Sequence, residues 1–167
     1  IGVRLEDIKL HPQKTMQTLA DFMGISDHKS LYKSEFFGLQ FWGPSSKQIG
    51  KVTGFDTKSI DRPIGQLFGK RDIKIFETLF WPFSKQFGYS DWDERLFRDN
   101  LKLIRPWLDE PLEFECVLYE RLNDKSVPIR ELSAYKTLHN RLIHVWTLLK
   151  RDGCFPGMMR PLEIFHT

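Results

Sequence analysis

Cysteine is scarce here: two residues in 167, Cys116 and Cys154. Two thiols cannot build a disulfide scaffold. They fit a reducing compartment, or at most one bridge, so the expectation is a cytoplasmic chain with both sulfurs packed as small apolar groups. Long apolar runs are also lacking. None approaches the roughly 18 residues of a spanning helix, which excludes an integral helical membrane protein. Charge of one sign is in short supply, since 25 basic against 22 acidic residues leaves only +3. So small an excess points neither to nucleic acid nor to a membrane surface.

The usual chemical signatures are missing too. No Cys-x-x-Cys occurs, and His139 and His144 stand five apart, off the shared helix face that an i, i+4 pair would have, so no metal site is expected. No Gly-x-Ser-x-Gly marks a nucleophile. Gly65-Gln66-Leu67-Phe68-Gly69-Lys70 is one residue short of a phosphate loop, lacks its hydroxyl and follows no strand, so it reads as a loop entering a helix. No catalytic residue is assigned.

What the chain does have is aromatic weight: 14% aromatic residues, with 14 Phe and 5 Trp, in a sequence that is 41% hydrophobic. That composition is one of a packed domain, not a disordered chain. The length suits one domain with a core. The opening Ile1-Gly2-Val3-Arg4-Leu5 lies inside a β-type segment, which reads as part of something longer, and a short strand is expected over Val3–Ile8. Pro12 suits the first position of a helix. Met16, Leu19, Ala20 and Met23 then repeat with helical spacing, and Gly24 is placed to stop it.

Residues 25–69 hold many glycines and prolines with interleaved aromatics, a long irregular segment of the kind that carries function. Ile73, Phe76, Phe80, Phe83 and Phe87 restore helical periodicity over 70–87, with Pro82 expected to kink or split it and Gly88 to end it. A helix is expected over 91–104, closing before Pro106. Leu112, Phe114, Cys116 and Leu118 alternate, a weak strand signal. The strongest stripe is Tyr135, Leu138, Leu142, Val145, Trp146 and Leu149, a helix over 130–150.

Within the irregular segment, Ser45, Ser46, Lys47, Lys51, Lys58, Ser59 and Arg62 string hydroxyls and cations along 18 residues. Such groups suit a phosphate or sulfate ester, and equally an ordinary solvated loop. Phe36, Phe37, Phe41 and Trp42 could stack nucleobases. They read instead as core, because the charge excess gives little electrostatic footprint for RNA.

Taken in order, these pieces resemble the PAPS-dependent sulfotransferases of the bacterial type. Val3-Arg4-Leu5-Glu6-Asp7-Ile8 is similar to that family's Val-Arg-Tyr-Glu-Asp-Leu strand. Pro12 and the stretch Thr18 to Ile25 are similar to its Pro…Leu…Phe-Leu-Gly-Leu helix. Gly43-Pro44-Ser45-Ser46 resembles its Asn-Ser-Ser segment, and Ser59-Ile60-Asp61-Arg62 its Ser-Ile-Gly-Arg-Trp stretch. Asp72 to Glu77 and Phe87-Gly88-Tyr89 resemble the helix ending in Leu-Gly-Tyr. The likeness spans residues 3–89. Residues 90–167 would be a helical extension of the same domain.

The resemblance implies an α/β fold: the C-terminal part of a P-loop-like domain, mostly helical in this chain, with one family-type strand at its start. It implies PAPS as donor and PAP as product. Ser45 and Ser46 would lie near the adenine or 3′-phosphate, and Lys58 and Arg62 would approach that phosphate. Two positions depart from the pattern: Leu5 stands where relatives carry Tyr, and Pro63 where they carry Trp. The family's 5′-phosphosulfate loop and general base precede the Arg-Tyr-Glu-Asp strand and have no counterpart here. The implied partner is therefore the N-terminal half of the same fold, or another chain pairing its sheet edge with strand 3–8. Glu6 would be a buried structural carboxylate. The alternative is a non-catalytic interaction module or degenerate subunit of a larger assembly.

Overall fold

A computed structural model describes residues 1–33, 35–36, 39–40, 57 and 68–164. The chain divides into two units, Ile1–Arg62 with Met159–Thr167, and Pro63–Met158.

In the first unit the expected strand over 3–8 is not formed. Gly2 makes one parallel bridge to Pro161, its N–H reaching the Arg160 carbonyl and its carbonyl taking the Leu162 N–H, both at 2.7 Å. Extended backbone ends at Arg4, and helix α1 runs Leu5–Leu10. Glu6 and Asp7 in its first turn face the positive end of the helix dipole. The Arg4 guanidinium grips both Asp7 oxygens at 2.8 and 2.6 Å, a fork that a pleated strand, sending successive side chains to opposite faces, would not close over three residues. The buried carboxylate is thus Asp7, not Glu6. Helix α2, Pro12–Met23, follows with Pro at its start and Gly24 at φ 66° at its end, as its punctuation predicts. The fully buried Thr15 hydroxyl lies 2.7 Å from the Asp7 carbonyl and 2.8 Å from that of His11, tying α2 to α1. Glu35–Phe36 (β1) and Leu39–Gln40 (β2) pair antiparallel, two residues each. Among the described residues there is no parallel sheet, so the α/β P-loop-like expectation is overturned in favour of a mostly helical chain.

The described residues of the second unit form helices joined by short turns. The periodic stretch 70–87 is two helices, α3 Lys70–Leu79 and α4 Trp81–Gln86, parted at Phe80 where Pro82 begins the next turn. Gly88 at φ 74° turns the chain away. Helix α5, Glu94–Ile104, starts at Asp93, whose carboxylate accepts the Leu96 N–H at 2.7 Å. Helix α6, Glu113–Glu120, occupies the stretch expected as a strand. Helix α7, Ser133–Asp152, carries the long apolar stripe and ends at Gly153.

The core is Ile75 and Leu79 of α3, Phe97, Leu101 and Ile104 of α5, Leu108 and Leu112 from the segment between α5 and α6, and Leu149 of α7. Trp81 stacks on Phe97 with ring centres 4.2 Å apart. The Trp146 indole N–H donates to the Leu101 carbonyl at 2.7 Å, so α7 is fixed to α5 by a directional bond as well as by packing.

Candidate functional site

The four residues assigned to nucleotide binding, Ser45, Ser46, Lys58 and Arg62, lie outside the described residues, as do Lys47, Lys51, Ser59 and Pro63 and the aromatics Phe37, Phe41 and Trp42. Leu5, the departure from the family tyrosine, is half exposed on α1. Near the start of the irregular segment, the Tyr32 hydroxyl donates to the Asp27 carboxylate at 2.7 Å. That hydrogen bond pushes the phenol up to about 12, because ionising it would lose the donated proton and face a neighbouring negative charge.

Described residues of the second unit form three concavities that bear on function. One is an apolar groove of about 250 Å³ between α6 and α7, walled by Phe114, Leu118, Leu122, Leu132 and Leu138, with Glu115, Tyr119 and Tyr135 as its polar members. Burial pushes the Glu115 carboxyl above its ordinary range, and the charge of Asp72 adds to the rise; the Leu112 N–H that it accepts and the nearby His139 pull the other way. The Tyr135 phenol is likewise raised by burial, and its ring stacks on His139 at 5.5 Å.

The second concavity is a polar cleft of about 310 Å³. Glu77 reaches it from α3 and Ser84 from α4, while Tyr89, Ser90, Asp91 and Trp92 enter from the segment leading to α5. Gly88 makes this possible, since its left-handed backbone ends α4 and turns the chain there. The Tyr89 N–H returns to the Ser84 carbonyl at 2.6 Å. The Ser90 hydroxyl oxygen accepts the Trp92 N–H at 3.3 Å. The Lys74 ammonium lies 4.1 Å above the Trp92 ring centre, a cation–π contact.

The third, about 420 Å³, is almost wholly apolar: Phe68, Ile73, Phe76 and Phe80, with Glu77 on its border. Phe68 and Phe76 meet edge to face at 5.3 Å. Glu77 therefore lines both this cleft and the polar one.

Among the described residues no group of His, Cys, Asp and Glu is arranged to hold a metal ion. Cys116 and Cys154 are free and exposed, not packed in a core as expected. No described helix is long and apolar enough to cross a membrane. The polar cleft escaped the sequence reading because its members come from three successive elements. Its one legible signal is the run Tyr89-Ser90-Asp91-Trp92, two rings with a hydroxyl and a carboxylate between them. No family model, no curated protein and no solved structure matches the chain.

Proposed function

We propose that the chain is part of an enzyme that moves a sulfuryl group from PAPS to a hydroxyl or amine acceptor in the cytoplasm. The observation that carries this reading is the ordered series of sequence likenesses over residues 3–89. Two features of the described helices support it. Pro12 opens α2 and Gly24 closes it, and the α3–α4 pair runs into Gly88-Tyr89, where the resemblance sets the ends of its two helices. The α/β sheet is no part of the proposal.

In this reading Ser45 and Ser46 donate hydroxyl hydrogen bonds to the nucleotide, and Lys58 and Arg62 neutralise its 3′-phosphate. Sulfuryl transfer forms a bond from acceptor oxygen or nitrogen to sulfur. It breaks the bond from sulfur to the phosphate oxygen, and PAP leaves with the electron pair. Negative charge grows on that bridging oxygen, so fixed cations and N–H groups must meet it there, and a base must take the acceptor proton. Neither of these chemical groups is among the residues matched, and the reading assigns them to polypeptide outside this chain.

The test is calorimetric titration of PAP into the whole gene product that carries this sequence. Binding is expected, weakened about tenfold or more by Arg62→Ala, since a charged phosphate contact is worth roughly 1.5–3 kcal/mol. Absence of heat at millimolar PAP, or equal affinity in Arg62→Ala, Lys58→Ala and Ser46→Ala, overturns the assignment.

A further inference from the structure

Glu77 stands on the border of two clefts of opposite character. On one side are carboxylates, hydroxyls and two aromatic rings. On the other are Phe68, Ile73, Phe76 and Phe80. We infer that the pair forms one binding site for a small neutral amphiphile: a polyhydroxyl head, such as a sugar, in the polar cleft, and an attached apolar chain or ring in the phenylalanine cleft.

Three observations select this chemistry. An anionic head is disfavoured, because Glu77 and Asp91 both line the polar cleft, and like charges so placed repel. A cationic head is drawn by those carboxylates but meets an obstacle of its own. The Trp92 face, the natural cation platform, already carries the Lys74 ammonium at 4.1 Å, so a second cation would meet a like charge where the ring would have held it. A neutral head with several O–H donors meets neither penalty. Carboxylates accept from hydroxyls in charge-assisted bonds, Ser84 and Ser90 line the same cleft, and the C–H face of a sugar ring is apolar enough to lie on an aromatic side chain.

The tail follows from the neighbouring cleft. Phe80 is 54% exposed, and the lining is almost free of polar atoms, so water there gains little and an alkyl chain entering it loses apolar surface to solvent. Apolar pocket and convergent polar groups together are the usual make-up of a small-ligand site. Volumes of about 310 and about 420 Å³ suit a single sugar ring and a chain of moderate length.

The inference stands on these two clefts alone and not on the transfer reading, whose residues lie between 45 and 62. PAP binding and amphiphile binding can therefore fail separately. The experiment is titration of the ¹⁵N-labelled chain with octyl β-glucoside below its micelle threshold. Methyl β-glucoside supplies the head alone, octanol the tail alone, and octyltrimethylammonium the same tail on a cation. Octyl glucoside is expected to shift the amides of Ser84 and residues 89–92, the Trp92 indole N–H, and the amides of Phe76 and Phe80, all on one saturating curve. Its affinity should exceed that of methyl glucoside by at least about tenfold, from the buried methylenes. Glu77→Gln and Asp91→Asn, both exposed and conservative, should weaken it several-fold and leave the unfolding midpoint in place. The inference is overturned if octanol or the ammonium amphiphile binds as tightly as octyl glucoside. It is equally overturned if the two sets of resonances saturate independently, if the variants bind like the parent, or if nothing shifts in the millimolar range.

Discussion

The Asp72 carboxylate on α3 caps α6 at Glu113, forty-one residues away. One oxygen accepts the Glu113 N–H at 2.8 Å and the other the Phe114 N–H at 2.9 Å. The first turn of any helix has N–H groups with no intrahelical partner, and here a fully buried side chain from another helix supplies the acceptors. Its neighbour Arg71 completes the clamp, donating to the Pro111 carbonyl and pairing with Glu110 at 2.9 Å. Asp72→Ala removes both acceptors and leaves two N–H groups in a dry place. The expected loss is about 3 kcal/mol of unfolding free energy, read from urea denaturation. Asp72→Asn keeps one acceptor oxygen and should cost less than Asp72→Ala. Equal stability of parent and Asp72→Ala would show that α6 does not depend on this cap.

The C-terminal end of the long helix α7 has a matching device. Arg98 of α5 donates to the Leu149 and Lys150 carbonyls at 3.3 and 3.2 Å, adding a positive charge to the last turn of α7, where the Leu149 carbonyl also accepts the Gly153 N–H at 2.9 Å. Gly153, at φ 75°, lets the chain leave without a side chain, and a Cβ there would fall 2.6 Å from the guanidinium. Gly153→Ala should therefore cost more than the roughly 1 kcal/mol of left-handed strain alone. In an Arg98→Ala background the collision is gone and only the strain remains. A double-mutant cycle should show that coupling as a smaller Gly153→Ala effect; strictly additive losses would contradict it.

These two contacts also explain which elements could be read from the sequence. Helices α2, α5 and α7, and the split of α3 from α4, follow from apolar spacing and from Pro12, Gly24, Pro82, Gly88 and Pro106, signals that lie inside or beside each segment. Helices α1 and α6 are six and eight residues long, too short for a period of 3.6 to separate cleanly from a period of 2. Leu112, Phe114, Cys116 and Leu118 alternate as a strand would. The helix wins because Asp72 satisfies its first N–H groups, a tertiary term that no local window contains. The Arg4–Asp7 fork decides α1 in the same way, at shorter range. The candidate site was legible only in pieces. Ser45, Ser46, Lys58 and Arg62 stand on resemblance. The two clefts that meet at Glu77 depend on how α3, α4 and the 88–92 turn pack.

Trp146 offers an optical reading of the core. Its indole N–H bond to Leu101 ties α7 to α5, while Arg105 and Lys150 lie over its ring at 5.3 and 5.1 Å. Trp146→Phe keeps most of the apolar surface and loses the hydrogen bond and the better cation–π face. The expected cost is about 1–2 kcal/mol, with loss of the fluorescence of one partly buried tryptophan. Trp146→Leu should cost more, because volume is lost as well. If the two variants are equally stable, ring packing at this position contributes nothing beyond the hydrogen bond.

Glu115 makes the stability of the second unit depend on pH. Burial raises its carboxyl in the native state, with Asp72 adding to the rise and His139 opposing it, while in the unfolded chain the group titrates at its ordinary value. Between those two values the native state binds more protons than the unfolded state, so stability falls as pH climbs through that window. The contribution is fully present below the ordinary carboxyl value and lost above the raised one. Glu115→Gln keeps an oxygen for the Leu112 N–H and removes the titration. Its urea midpoint relative to the parent should therefore improve as pH goes from about 4 to about 7. The same comparison in a His139→Gln background removes the neighbouring side chain that favours the carboxylate. There the gap should widen, because the interaction that opposed the rise of the Glu115 carboxyl is gone. A gap that stays constant with pH, or that closes as pH rises, would place Glu115 in water rather than against the apolar wall of the groove.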